Sequence, residues 1–139
     1  MALSILILLE GSYRAVSQRD KNIDDLRRRL DDRESKRQVS TRLSGHAARA
    51  EPLVRSLRST SPISVEIRAK WAAWDAEVQA DIREEPLLGP SYVERFKIGA
   101  GLAILPCLIR DASHESLWRE LQTRLGRLAE FMRELDSNA

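Results

Sequence analysis

His114 stands beside Glu115 and three residues after Asp111. An imidazole between two carboxylates is the nearest this chain comes to an acid–base or metal constellation. A zinc or iron site built on a helix needs a second ligand one turn away, and position 118 is tryptophan. The run from Asp111 to Ser116 also has the makeup of a helix start. Asp and Ser side chains accept from orphan backbone N–H groups, and Glu115 complements the positive end of the helix. We read His114 as structural, in a capping segment. His46, isolated between Gly45 and Ala47, reads as a surface or interface residue.

The other routes to catalysis are closed by spacing. No G-x-S-x-G frames a serine. Gly99-Ala100-Gly101 is followed by no G-K-[ST], and Ile104 occupies the place of the third glycine in a dinucleotide fingerprint. Cys107, the only cysteine, follows Pro106 in an apolar run and predicts an inert buried thiol. One cysteine forms no intramolecular disulfide, which points to a reducing compartment. Asp75, Glu77, Asp81, Glu84 and Glu85 read as carboxylates scattered over the solvated face of one helix. The expectation is a non-enzymatic protein with no catalytic residues, cofactor or metal.

Charge is distributed unevenly. Residues 35–60 hold Lys36, Arg37, Arg42, Arg49, Arg55 and Arg58 against the single acid Glu51, whereas residues 61–139 hold thirteen acids against ten bases. The six basic residues are candidate anion binders for nucleic acid or anionic lipid. The competing reading sets them against the acidic helix that follows. The segment has no interleaved aromatics and no nucleic-acid motif, so the second reading is the expectation. The net charge of +2 provides no global field for nucleic acid. Lysine occurs only at positions 21, 36, 70 and 97, a bias toward arginine that fits a bacterial source with a GC-rich genome.

Hydrophobic residues make up 42% of the chain, charged residues 32% and aromatics 5%. Glycine and proline are sparse, which suits long helices with solvated faces. Apolar periodicity predicts an all-α chain with a long first helix from Ser12 to Leu57. Val16, Ile23, Leu26 and Leu30 form one stripe. Val39, Leu43, Ala47, Ala50, Val54 and Leu57 form another, about half a turn out of phase at roughly 100° per residue. Gly45 and Pro52 are break points, with a kink expected just before Pro52. Ser61 and Pro62 open a second helix carrying Ile63, Ile67, Trp71, Trp74, Val78 and Ile82, which Pro86 ends. A short helix follows from Ser91 to Lys97. The stretch Ile98 to Ile109 reads as an irregular connection over the core. The last helix starts near Ser113 and carries Leu117, Leu121, Leu125, Leu128, Met132 and Leu135.

Three of these stripes bury one another as a small three-helix bundle centred on Trp71, Trp74 and Leu121. The predicted division is 1–34, an apolar N-terminus and stalk helix, and 35–139, the bundle. The stripe Val16, Ile23, Leu26 and Leu30 is left without a partner and predicts a homo-oligomer, in parallel register, through a short coiled-coil seam. Residues Met1 to Leu9 are apolar apart from Ser4 and too short to span a bilayer at ~20 residues. They read as a helix end buried against another chain, as a membrane-surface or truncated anchor through Leu3–Leu9, or as a disordered start. The expected location is the cytoplasm or the cytoplasmic face of the inner membrane.

An ordered series in the second half carries a resemblance. It comprises Trp71-Ala72-Ala73-Trp74, Leu88-Gly89 with Tyr92 and Phe96, His114-Glu115-Ser116-Leu117-Trp118, and Leu121 to Leu128. The series resembles uncharacterised bacterial proteins that have a hydrophobic N-terminal segment, a charged coiled-coil-like helix and a small C-terminal helical domain. The resemblance implies that architecture, with attachment to a membrane, and no activity.

Overall fold

The computed structural model describes residues 2–59, 62–99 and 111–137, with side chains from Leu8 onward. Among the described residues there are five helices: α1 Ala2–Arg49, α2 Glu51–Arg58, α3 Val65–Glu84, α4 Pro90–Lys97 and α5 Ala112–Ser137. No strand occurs among the described residues. The chain divides into two units, Met1–Ser35 and Lys36–Ala139, with the boundary inside α1. Most of the predicted connection from Ile98 to Ile109 lies outside the described residues, as does Cys107.

The first unit is the helix of residues 2–35. It starts at Ala2 rather than Ser12, so the apolar run is part of it. Leucine and isoleucine propagate a helix, and the ~1 kcal/mol cost of the single Gly11 is offset by turns on both sides. Val16, Leu26 and Leu30 are about 60% exposed and Ile23 is 40% exposed. Polar contacts run along the helix itself, from Arg29 to Asp25 at 3.1 Å and from Gln18 to Asn22 at 3.5 Å.

The second unit holds the core. The end of α1 buries Val39 and Leu43, and the chain turns at Ala50 before α2. The break sits just ahead of Pro52, as expected, because proline offers no N–H to the carbonyl four residues back. Gly45 does not interrupt α1. In α2, Leu53 and Leu57 are buried while Val54 is only partly so, a correction to the predicted stripe. The turn at Ala50 shifts the helical phase, which continuous periodicity does not foresee.

The opening of α3 also differs from expectation. Its cap is Ser64, whose Oγ accepts from the Ile67 N–H at 3.1 Å, and Pro62 lies ahead of the helix. Trp74, Val78 and Ile82 are buried, whereas Trp71 is half-buried against the core. Gly89, at φ 84°, takes a left-handed backbone that favours glycine and turns the chain into α4. Asp111 opens α5, its Oδ1 accepting from the His114 N–H at 2.7 Å. That helix buries Leu117, Trp118, Leu121, Leu128, Phe131 and Leu135, while Leu125 and Met132 are only partly buried. The buried line therefore departs from the predicted one before its end, with Phe131 in place of Met132, and returns to it at Leu135.

Hydrogen bonds set the directions. Arg42, His46 and Arg49 meet residues 85, 81 and 77 in descending order, so the end of α1 runs antiparallel to α3. Arg68 meets Ser113 and Asp75 meets Arg124, so α3 and α5 run parallel. Tyr92 meets Glu134 and Lys97 meets Arg124, so α4 runs antiparallel to α5. α4 packs against both α3 and α5 and adds Val93 and Phe96 to the core.

Candidate functional site

One set of polar side chains on the second unit gathers along a groove between the end of α1 and α3. Arg42, His46 and Arg49 follow at four and three residues on α1. Glu77 and Asp81 of α3 and Glu85 just past its end follow at four and four. Both spacings stack side chains on one helical face, so two antiparallel helices bring three basic positions opposite three acidic ones. The groove, of about 670 Å³, is lined by Arg42, His46, Arg49, Glu77 and Asp81 together with Gly45, Ala80 and Glu84.

Arg42 pairs with Glu85 and lies 3.4 Å from Asp81. Hydrogen bonding to Glu85 raises its pKa further, against the opposing effect of desolvation. Arg49 Nη1 donates to Glu77 at 2.7 Å. His46 is 5% exposed, which corrects the surface reading, and both ring nitrogens are engaged. Arg49 Nη2 lies 2.6 Å from Nδ1, and Asp81 Oδ2 lies 2.8 Å from Nε2. A guanidinium only donates, so Nδ1 accepts and Nε2 carries the proton that is given to Asp81. The imidazole thus has no free lone pair for a metal or a substrate proton. The groove lining includes no serine, threonine or cysteine that such a His–Asp pair could activate. Among the described residues no group of three His, Cys, Asp or Glu side chains is placed to hold a metal ion.

The carboxylates of α3 are therefore not scattered. Glu77, Asp81 and Glu85 face the bases of α1, and Asp75 turns inward. Its Oδ1 accepts from Arg124 Nε at 2.8 Å, and the Asp75 and Arg124 side chains are 12% and 9% exposed. Of the six candidate anion binders, Arg42 and Arg49 face acids of α3, and Arg55 lies 3.5 Å from Glu51 of its own helix. Arg37 and Arg58 are exposed and Lys36 is partly exposed.

Two further polar clusters hold helix ends. Arg124 Nη1 donates to the carbonyls of Lys97 at 3.1 Å and Phe96 at 3.4 Å, and Arg127 Nε donates to that of Ile98 at 2.7 Å. These carbonyls at and just past the end of α4 have no acceptor role within the helix. Nearby, Arg95 binds Glu130 and Glu134 and lies 4.9 Å from the Tyr92 ring centre and 5.1 Å from that of Phe131. The Arg95 hydrogen bond holds Glu134 below the usual carboxylate range, and Arg127 does the same for Glu130. Desolvation and the hydrogen bond to Glu134 raise the Tyr92 pKa.

His114 is 1% exposed, and its Nε2 donates to the Leu57 carbonyl at 2.6 Å, joining the start of α5 to the end of α2. The cap itself is Asp111, as the composition of that segment suggests.

Comparison with models of known protein families, with curated proteins and with solved structures finds no match. Among the described residues, no helix is long and apolar enough to cross a membrane.

Proposed function

We propose that this is a non-enzymatic interaction protein that self-associates through its N-terminal helix. The observation that carries the reading is where apolar surface remains uncovered. Leu8, Leu9, Tyr13, Val16, Ile23, Leu26 and Leu30 are exposed in the first unit, against Val65 and Ile98 alone among the large hydrophobics described in the second. An isolated amphipathic helix is marginal in water and gains most of its stability by burying such a face. In this reading the second unit is the folded body, a three-helix bundle in which the end of α1 with α2 forms one arm and α3 and α5 the other two, with α4 laid on it. The Leu3–Leu9 segment is a contact for a membrane surface, in line with the resemblance noted above, and the protein works in the cytoplasm or on the inner face of the membrane.

The alternative is an anion-binding module built on Lys36, Arg37, Arg42, Arg49, Arg55 and Arg58. It draws less support, since carboxylates already face Arg42, Arg49 and Arg55. The test is mass in solution. Light scattering at tens of micromolar, about where so short a seam assembles, is expected to give a dimer or larger species. Ile23→Glu with Leu26→Glu is expected to give a monomer with an unchanged denaturation midpoint. A monomeric wild type overturns the reading. Salt-sensitive retardation of a DNA or RNA probe would instead support the basic segment.

A further inference from the structure

We infer that the partner of the exposed face is a second copy of this chain lying antiparallel, centred between Ile23 and Leu26. The inference rests on the self-association proposed above and adds its direction. Leu9, Val16, Ile23 and Leu30 recur every seven residues and form one row of a heptad seam. The companion row, three residues on, is Ser12, Arg19, Leu26 and Arg33. All of these side chains are exposed within the described helix.

A parallel pair, the arrangement that the apolar spacing by itself suggests, stacks each position on its own copy. Arg19 then meets the partner's Arg19 inside the seam, and Arg33 meets the partner's Arg33. Like charges in direct apposition repel, and a seam shields them less from one another than open solvent does. The one attractive flanking contact in this arrangement joins Arg29 to the partner's Glu34. Arg29 already binds Asp25 of its own helix at 3.1 Å.

An antiparallel pair removes both conflicts. With Ile23 against the partner's Leu26, Val16 falls against the partner's Arg33 and Leu30 against the partner's Arg19. Each arginine stem then lies along an aliphatic side chain while its guanidinium reaches water. On the flank, Asp20 faces the partner's Arg27, and symmetry makes the same contact twice. Asp20 and Arg27 are both exposed, so they can be exchanged without disturbing a core. The pairing also keeps all four central apolar residues together, two from each copy.

The test is a charge exchange in the full-length chain, read as the dimer dissociation constant by sedimentation equilibrium. Asp20→Arg alone and Arg27→Asp alone each create two repulsive contacts and are expected to weaken association by about fivefold or more. The double variant D20R/R27D restores opposite charges across the antiparallel seam and is expected to return within about twofold of wild type. A double variant as weak as the single ones, beside a dimeric wild type, overturns the antiparallel arrangement and leaves self-association standing. A monomeric wild type removes the reading on which it rests.

Discussion

Asp75 and Arg124 meet 2.8 Å apart across α3 and α5, each side chain almost wholly covered. Arg124 also rests 5.2 Å from the Phe96 ring centre and holds two carbonyls at the end of α4. One guanidinium therefore ties three helices. Removing one member of a buried ion pair leaves the other uncompensated and costs about 3–5 kcal/mol. Arg124→Met is expected to fall in that range, since it orphans both the carboxylate and the carbonyls. Asp75→Ala is expected to cost less, because Arg124 keeps its carbonyls and its aromatic face. Urea denaturation of the two variants checks the order, and the reverse order would contradict the three-helix role of Arg124.

Gly99 approaches α5 closely. A Cβ built on it would stand 2.7 Å from Thr123 Oγ1 and 3.3 Å from its Cγ2. Thr123 is buried, so it has little room to yield. Gly99→Ala is expected to destabilise by about 1–3 kcal/mol through overpacking. Thr123→Ala in the same chain removes both atoms and should recover most of that loss. A thermal midpoint that is unchanged in Gly99→Ala would show that the segment shifts freely.

The two tryptophans of α3 make a contrasting pair. Trp74 Nε1 donates to the His46 carbonyl at 2.9 Å, a group left free because the Ala50 N–H bonds to Ala47 instead. Trp71 is half-buried, and its buried Nε1 has no hydrogen-bond partner. Replacing Trp74 with phenylalanine leaves a buried carbonyl unmet and is expected to cost about 1–3 kcal/mol. Replacing Trp71 with phenylalanine removes an unsatisfied donor and is expected to cost under about 1 kcal/mol. Equal losses in the two variants would refute the distinction.

Acid and alkali should each weaken the α4–α5 contact. Arg95 and Arg127 hold Glu134 and Glu130 below their ordinary value of 4.5. Between the folded and unfolded values the unfolded chain binds more protons, so stability rises with pH. The contribution is present above about 4.5 and is lost as pH falls through the lower folded values. Tyr92 shifts upward from 10.0, so its contribution is present below that pH and is lost as pH rises through the folded value. Glu130→Gln with Glu134→Gln should flatten the acid limb of a stability–pH curve, and Tyr92→Phe should flatten the alkaline limb. Unaltered limbs in both variants would show that the cluster does not control either.

Local signals carried much of the architecture. Helical content, the break before Pro52 and the apolar faces around Val39, Leu43, Val78 and Leu121 follow from spacing and backbone chemistry. These act within a few residues and need no knowledge of neighbours. The aspartate cap before His114 was legible for the same reason. The expectation that Arg42 and Arg49 lie against the acids of α3 came from charge counts alone, and ion pairs with Glu85 and Glu77 are what the structure places there.

The identity of the inward-facing polar residues was decided only by tertiary structure. Asp75, His46 and Arg124 are polar residues that fall off the predicted apolar stripes, and each reads locally as solvated. Asp75 is buried where α3 meets α5, and Arg124 arrives from 49 residues away to neutralise it. Phe131 displaces Met132 at the core because the position of α4 sets which face of α5 is covered. Sequence periodicity gives a helix a face, but the bearing of that face depends on which neighbours dock. A shift of one residue turns a side chain by about 100°, enough to exchange solvent for core.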